Sequence, residues 1–387
     1  MGSRRTLSVA AVGAVLALLV GCGDGSEPAA APAASAGADT VRLAALVPLT
    51  GRSSQSGEAM SHGAKLAVSE ANAAGGVLGR QVELIVEDDA CEAGTAVTAA
   101  QSVLKRDVAV SVGGYCSSAV VPTLKIFHDA GVPMIVAQAN STDLLEAGYN
   151  SVFLLCGTVV AEADFAVSWM SRLGGKRVAV VHDGTSFPVT LADATVKAAE
   201  RTRKLAVAAE LKLSQGAPSY ARTAGAIVDA KADIVYYTGY YSEASQLIRD
   251  LRAANFRGKI VVGDGAADEL LFQDLTAEQT RDVYGTALIF PQFMPELAAW
   301  SERYREAIGS APGPSTVEGY DAVKVALDAI ARAGSLDREA IRTAIAATDT
   351  VVTSGQVSFN PDGTRTKPTF LLLQAKGTAF ALFSSAS

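Results

Sequence analysis

Two serines follow a pair of glycines where a strand pattern gives way to a helix pattern. Residues 108–122 read Val-Ala-Val-Ser-Val-Gly-Gly-Tyr-Cys-Ser-Ser-Ala-Val-Val-Pro, so an apolar run ends at Gly113 and Gly114 and is followed by Ser117 and Ser118. Hydroxyls and free amides at the start of a helix suit an anion. The stretch therefore predicts a site for a small carboxylate, although the two serines are equally explained as caps of the helix.

A single carboxylate and a run of tyrosines follow two other strand patterns. Asp264 lies between Gly263 and Gly265, where it has room for an ammonium group but is equally suited to cap the next helix. Residues 236–241 read Tyr-Tyr-Thr-Gly-Tyr-Tyr. The tyrosines after the glycine have left the strand, and amphipathic rings at such a place suit the wall of a ligand site. These residues favour binding.

Catalytic motifs are missing from the sequence. It contains no Gly-X-Ser-X-Gly elbow, no phosphate-binding loop and no complete Gly-X-Gly-X-X-Gly after a strand. His62 and His128 fall in helix patterns, and His182 follows a strand but has no serine or cysteine nucleophile assigned to it. No two cysteines have the spacing of zinc ligands. We therefore predict a protein that is not an enzyme and that uses no metal or other cofactor.

These side chains need a scaffold of alternating strands and helices, and the sequence has that pattern. From residue 41 short apolar runs alternate with stretches of helical period, which is typical of βαβ units. About 350 residues follow the N-terminal segment, more than one core usually holds, so two domains are expected. The strand pattern occurs in two successive runs, at 41–47, 82–87, 108–112 and 133–136, and at 177–181, 205–213, 233–238 and 259–262. The prediction is an α/β protein of two lobes, each with a parallel, doubly wound sheet.

Ligands of open parallel sheets bind beyond the carboxyl ends of the strands. Two lobes that face each other leave one cleft between those ends. The segments expected to line it are 48–57, 113–118, 137–142, 182–187, 238–243 and 263–267.

The N-terminal residues have the pattern of a bacterial lipoprotein signal peptide. Arg4 and Arg5 precede an apolar run that is too short to span a membrane, and Leu19-Val20-Gly21-Cys22 follows. We predict that residues 1–21 are removed, that Cys22 is lipidated and anchors the protein to the cell envelope, and that 22–39 is a flexible tether. A plain secretory signal cleaved nearby is the alternative. The net charge of −7 argues against a nucleic-acid partner.

The three other cysteines are expected to lie in an oxidising compartment, where disulfides form. Cys91 and Cys116 each follow directly on a strand pattern, which favours their pairing at one edge of a sheet. Closing a loop of that length stabilises a fold by roughly 3 kcal/mol in the chain-entropy picture. Cys156 lies in an apolar run and is predicted to be a buried free thiol.

Several motifs occur together, in order and at suitable intervals. They are Asn72-Ala73-Ala74-Gly75-Gly76-Val77-Leu78-Gly79, Asp88-Asp89-Ala90-Cys91, Gly114-Tyr115-Cys116-Ser117-Ser118, Val180-Val181-His182-Asp183 and Val235-Tyr236-Tyr237-Thr238-Gly239-Tyr240-Tyr241. In combination they resemble the extracytoplasmic solute-binding proteins of branched-chain amino acid ABC transporters, the leucine/isoleucine/valine-binding family. The resemblance covers the chain from about residue 41 to its last residues.

The resemblance implies the periplasmic binding protein type I fold, in which two Rossmann-like lobes are joined by three crossings and close on the ligand by a hinge. Lobe 1 would comprise 40–157 and 286–352, and lobe 2 would comprise 158–285 and 353–387. The resemblance also implies a monomer that delivers a small molecule to the permease subunits of an ABC transporter. A sensory protein of the same fold is the alternative from another class.

Site residues are implied in the same way. Ser117, next to Cys116, is similar in place to the serine that holds the ligand carboxylate, and Ala139 and Asn140 are similar in place to further donors. Asp264 stands where the family has its acid for the ammonium group, and it is one methylene shorter than the usual glutamate. The tyrosine that assists it resembles Tyr240, with Tyr241 as the other possibility.

The side-chain pocket departs from the family pattern. Phe187 keeps the aromatic residue of the wall, but Ser56 replaces a tyrosine and Tyr115 replaces a leucine. The pocket is therefore reshaped, and we expect an α-amino acid with a larger or more polar side chain than leucine. A small carboxylate or amide without an amine, such as an aromatic acid or urea, is the alternative ligand.

Overall fold

The structure is a computed structural model and describes residues 40–385. The predicted signal peptide, Cys22 and the tether lie outside these residues. Within the described part, no helix is both long and apolar enough to cross a lipid bilayer.

A five-stranded parallel sheet forms the core of the first lobe. Its elements in chain order are β1 (Thr40–Val47), α1 (Ser54–Ala73), β2 (Gln81–Asp88), α2 (Ala93–Leu104), β3 (Val110–Ser111), α3 (Ser117–Val120), α4 (Leu124–Asp129), β4 (Met134–Val136) and β5 (Val152–Leu154). The strands lie in the order β2-β1-β3-β4-β5. β1, β3, β4 and β5 are almost wholly buried, as expected of apolar strands covered on both faces by helices.

The second lobe repeats the arrangement around a larger sheet. Its first elements are α5 (Val159–Arg172), β6 (Arg177–His182), α6 (Ser186–Thr202), β7 (Ala206–Lys212), α7 (Ala221–Asp229), β8 (Ile234–Tyr237), α8 (Tyr241–Ala253), β9 (Lys259–Val262) and β10 (Val283–Ala287). β6 to β10 pair in parallel.

The last part of the chain serves both lobes. Its elements are α9 (Ala298–Ile308), α10 (Thr316–Ala333), α11 (Arg338–Ala346), β11 (Asp349–Val352), β12 (Gly355–Ser358), β13 (Leu371–Lys376) and β14 (Ala379–Ser385). The three helices bury their apolar faces in the same core as β1. β13 and β14 add two antiparallel strands to the second sheet, whose order is β14-β13-β10-β9-β8-β6-β7.

The predicted two-lobed fold with three crossings is confirmed, at 155–158, 288–297 and 359–370. Two expected boundaries differ. Residues 353–387 are expected in the second lobe, but they begin with β12, which pairs with β11 in a separate hairpin and buries Val357 in the first-lobe core. The second lobe extends past 285, because β10 pairs with β9 as far as Gly285 and with β13 as far as Ala287. An apolar run alone does not show where a strand ends and a crossing begins.

The predicted disulfide between Cys91 and Cys116 is present, with 5.4 Å between the two Cα atoms. It joins the segment after β2 to the start of α3. Cys156 is a buried free cysteine in the first crossing, also as predicted. The disulfide therefore fixes the segment that presents Tyr115 to the cleft and holds Ser117 behind it.

Candidate functional site

A cavity lies between the lobes, beyond the carboxyl ends of the strands. The residues that line it are Tyr115, Gln138 and Asn140 of the first lobe and Phe187, Tyr240, Asp264 and Gly265 of the second. Every one of them falls in a strand-end segment that the sequence indicated. The position agrees with the general place of ligand sites in open parallel sheets.

Five of the nine predicted ligand residues lie at the cavity: Tyr115, Asn140, Phe187, Tyr240 and Asp264. Of the two candidate tyrosines, Tyr240 faces the cavity. The hydroxyl of Tyr241 donates to the main-chain oxygen of Arg52 at 2.7 Å, outside the cavity. The contacts of these residues with a ligand stay a prediction.

Ser117 and Cys116 lie behind the cavity wall. Ser117 is fully buried, and its Oγ accepts a hydrogen bond from the main-chain N–H of Ser141 at 3.3 Å. Since the hydroxyl accepts in this contact, its own hydrogen remains available for donation. Cys116 is buried in the disulfide.

Ala139 does not offer the free amide that the resemblance implied. Its N–H donates to the oxygen of Gly114 at 3.0 Å, and its side chain packs in a first-lobe core. The reason is local: Gly113 must lie close to β1, since a Cβ there would be 2.5 Å from the oxygen of Leu46, and the chain after β4 pairs with this tight segment. Ala139 therefore supports the loop, and its neighbour Asn140 reaches the cavity.

Ser56 acts through Tyr115. It is buried on α1, and its side chain lies beside the hydroxyls of Tyr115 and Tyr241. Burial raises the pKa of Tyr115, so its hydroxyl stays neutral at physiological pH. The two residues that depart from the family pattern thus contact each other, and Ser56 positions the ring that lines the cavity.

Three aromatic rings form the apolar wall of the cavity. The ring centroid of Tyr240 is 5.6 Å from that of Phe187 and 6.1 Å from that of Tyr115 across the cleft. Gly265 lies directly against this wall, because a Cβ at that position would be 2.9 Å from the Phe187 ring and 3.1 Å from the Tyr240 ring. Only glycine at position 265 allows the Asp264 loop to lie so close to the rings of Phe187 and Tyr240.

Asp264 is the acidic group of the cavity. Its Oδ2 accepts a hydrogen bond from Nδ2 of Asn140 at 3.3 Å, which joins the two lobes. Burial, and then the nearby carboxylate of Glu162, raise the pKa of Asp264 well above its ordinary value. The carboxyl group is therefore poised to gain from a cationic partner.

Glu162 is a residue of this site that the sequence reasoning missed. It lies in the first turn of α5 and is fully buried. Its Oε1 accepts hydrogen bonds from the N–H of Asp264 at 2.9 Å, the hydroxyl of Thr286 at 2.6 Å and the hydroxyl of Tyr236 at 3.3 Å. The available signal was an acidic residue in the first turn of a helix, but no helix was predicted there.

Polar contacts around the cavity hold the lobes together. Arg52 forms an ion pair with Glu243 at 2.5 Å, and the hydroxyl of Ser186 donates to Asp143 at 2.6 Å. Each contact joins one lobe to the other. The two lobes are therefore in contact around the cavity, which is lined by Asp264, amide groups and aromatic rings.

Comparisons with known proteins agree with this geometry. Residues 40–379 match the family model described as periplasmic binding protein. The chain is 31% identical over 298 residues to an amino acid binding protein of Pseudomonas aeruginosa, which covers 75% of this chain and 78% of that protein. It is 28% identical over 333 residues to the leucine-, isoleucine-, valine-, threonine- and alanine-binding protein of the same species, covering 85% and 88% of the two chains.

Solved structures show the same similarity. The crystal structure of the leucine binding protein LivK from Thermotoga maritima matches with a TM-score of 0.82 at 26% identity, covering 89% of this chain and 98% of that one. A branched-chain amino acid transporter substrate binding protein, LivJ from Streptococcus pneumoniae, solved in complex with isoleucine, has a TM-score of 0.79 at 23% identity and covers 90% and 100% of the two chains.

Proposed function

Because the chain belongs to the periplasmic binding protein family, we propose that it captures an α-amino acid between its lobes and delivers it to an ABC transporter. As a member of this family it is an extracytoplasmic solute-binding protein and not an enzyme.

The observation that carries the proposal is the position of Asp264. Its buried carboxyl group lies at the interlobe cavity beside the neutral aromatic wall of Tyr240 and Phe187. A buried carboxylate gains most from a charged hydrogen-bonding partner, which the ammonium group of an amino acid provides. The sequence resemblance implies a contact of Ser117 with the ligand carboxylate, and this contact requires the wall in front of the buried serine to open.

Closure follows from the same contacts. The first lobe supplies Tyr115 and Asn140, and the second supplies Asp264 and Tyr240. A ligand that touches both sets interacts fully only when the lobes meet, so it shifts the population towards the closed form. Tyr115 adds a bulky ring and Ser56 positions its hydroxyl, which favours an amino acid whose side chain is larger or more polar than that of leucine.

A thermal-shift screen tests the ligand class. L-leucine and L-phenylalanine are each compared with the acid that lacks the amine, isocaproate and hydrocinnamate. A ligand at one hundred times its Kd stabilises the folded state by about 2.7 kcal/mol, so a site ligand must raise the melting temperature. We expect at least one amino acid to raise the melting temperature more than its deaminated analogue does. If only the amine-free acids raise it, the ligand is a small carboxylate instead.

Anchor and transport are tested separately. We propose that Cys22 carries lipid, supported by Leu19-Val20-Gly21-Cys22 after an apolar run. Cys22→Ser is expected to abolish palmitate labelling and to release the protein from membranes. Deleting the gene is expected to reduce uptake of the bound amino acid by intact cells. Unchanged uptake, with a changed transcriptional or chemotactic response to that amino acid, would support a sensory role.

A further inference from the structure

A second carboxyl group lies directly behind Asp264. Glu162 is fully buried, its Oε1 accepts a hydrogen bond from the main-chain N–H of Asp264 at 2.9 Å, and its carboxyl group is close enough to that of Asp264 to raise the pKa of Asp264. Among residues 40–385, neither carboxyl group has an arginine, lysine or histidine in an ion pair with it. Two ionised carboxylates so close together in a buried site repel each other strongly.

The hydrogen bonds of Glu162 are unequal. Its Oε1 has three donors, from Asp264, Thr286 and Tyr236. Its Oε2 is buried and has no hydrogen-bond partner. A buried acceptor without a donor is costly, and a proton held between the two carboxyl groups would supply the missing donor. Gln138, which lines the same cavity, also has a buried Oε1 without a partner. The cavity thus presents several acceptors and few donors.

We propose that Glu162 and Asp264 share one proton in the ligand-free protein, and that the ammonium group of an amino acid displaces this proton when it binds. This inference rests on the proposed function, because it needs a ligand with an ammonium group. The change balances simply: the singly protonated pair and the ammonium ion give an ammonium ion bound to two carboxylates, and one proton passes to the solvent.

The surroundings of the pair contain no competing base. The titratable groups that face it are Tyr236, Tyr240, Tyr115, Cys156 and Glu318. All of them are acids whose charged form is negative, and burial raises the pKa of each tyrosine and of the Cys156 thiol. Their ionisation would add negative charge, so they favour retention of the shared proton until a cation arrives.

The consequence is a binding constant that depends on pH. While the pair holds its proton, that proton competes with the ammonium group, and raising the pH removes this competitor. Affinity is therefore expected to rise with pH, by up to about tenfold per pH unit when one proton is released per ligand. An amine-free acid makes no such exchange, so its affinity should not rise with pH for this reason.

The test is isothermal calorimetry of the full folded protein with L-leucine and L-phenylalanine, in buffers of different ionisation enthalpy. We expect close to one proton released per amino acid bound by the wild type. Glu162→Gln keeps an oxygen for Tyr236 and Thr286 but removes one ionisable group, so release should fall close to zero and the pH dependence should flatten. Glu200→Gln, which changes an exposed glutamate of α6, is the matched control and should behave as wild type. Equal proton release by wild type and Glu162→Gln would overturn the proposal.

A ligand-free measurement separates this proposal from the proposed function. The folded pair binds a proton that the unfolded chain lacks, so raising the pH destabilises the folded state. The melting temperature should therefore fall more for the wild type than for Glu162→Gln as the pH rises from about 5 to about 8. Asp264→Asn serves as the second variant if Glu162→Gln does not fold, and it should show the same relative gain. Parallel pH profiles of wild type and variant would overturn the shared proton even if amino acids bind. Diverging profiles without amino acid binding would leave the pair in place and remove the amino acid as ligand.

Discussion

Asn140 of the first lobe donates a hydrogen bond from its side-chain amide to the carboxyl group of Asp264 in the second lobe, over 3.3 Å. The acidic group of the cavity is therefore also a point of contact between the lobes. A ligand ammonium group that binds Asp264 must join this contact or replace it. Ligand capture and closure consequently depend on the same side chain.

Replacing Asp264 should remove the partner of the ligand amine. We expect Asp264→Ala to weaken the binding of an amino acid at least tenfold, about 1.4 kcal/mol or more, because a charged hydrogen bond is lost. Calorimetry with the amino acid selected by the thermal-shift screen measures the change. Asp274→Ala, which removes an exposed carboxylate of the same lobe, is the control. Unchanged affinity in Asp264→Ala would remove this residue from the site.

The ion pair between Arg52 and Glu243 should favour closure to a small extent. The Arg52 side chain is 54% exposed whereas that of Glu243 is 2% exposed, so solvent screens the pair on one side. Arg52→Gln is expected to weaken ligand binding by about twofold to fivefold, mainly through faster dissociation, and less at high salt. Stopped-flow dissociation rates at low and high salt measure this.

The matched control for Arg52 is Arg201→Gln. Arg201 pairs with Asp164 inside the second lobe and is exposed to a similar degree. Its loss should leave the dissociation rate unchanged. If both variants release the ligand equally fast, or if the effect of Arg52→Gln does not depend on salt, the ion pair across the cleft does not assist closure.

The sequence was sufficient to place the cavity because the period of the apolar runs locates the strand ends. All residues that line the cavity fall in the strand-end segments, among them Tyr115, Gln138 and Asp264. Glu162 was not found, because β5 and α5 were not predicted: their apolar residues follow one another with no turn signal except Gly157. A carboxyl group that reaches a site from the first turn of a helix cannot be located without that helix.

The pairing of the last strands also escaped the sequence. β12 and β13 follow each other closely in the chain, yet one joins a hairpin with β11 and the other joins the second sheet. Alternation specifies which face of a strand is buried but not which neighbour buries it. Likewise, the position of Ala139 matched the family, but the hydrogen bond of its amide to Gly114 depends on a turn whose geometry appears only in the folded chain.

Tyr115 should determine which side chain the cavity accepts. Its ring faces Tyr240 across the cleft, and its hydroxyl lies beside Ser56. Tyr115→Leu removes a ring and a hydroxyl from the first-lobe wall, so we expect L-leucine and L-isoleucine to gain affinity relative to the wild-type ligand by about tenfold. Tyr115→Phe keeps the ring and should change the order of ligands less. A ligand ranking that is the same in wild type and Tyr115→Leu would contradict this role.

Glu318 lies at the hinge and titrates close to neutral pH. It is buried on α10, and its side chain faces a small cavity where the three crossings meet, beside Cys156, Ile289 and Arg365. Burial raises the pKa of Glu318 to about 7, and its Oε2 has no hydrogen-bond partner. Burial therefore favours the protonated, neutral form of the Glu318 carboxyl group.

The sign of the pH effect follows from this raised pKa. Between the ordinary pKa of 4.5 and about 7, the folded protein holds a proton on Glu318 that the unfolded chain has lost. Its contribution to stability is fully present below the ordinary pKa and falls as the pH rises through the folded pKa, by up to roughly 3 kcal/mol. Melting temperatures from about pH 5 to about pH 8 should therefore fall more for the wild type than for Glu318→Gln. Glu306→Gln, an exposed change on α9, should follow the wild type, and a Glu318→Gln profile that also follows it would show that Glu318 is ionised throughout this range.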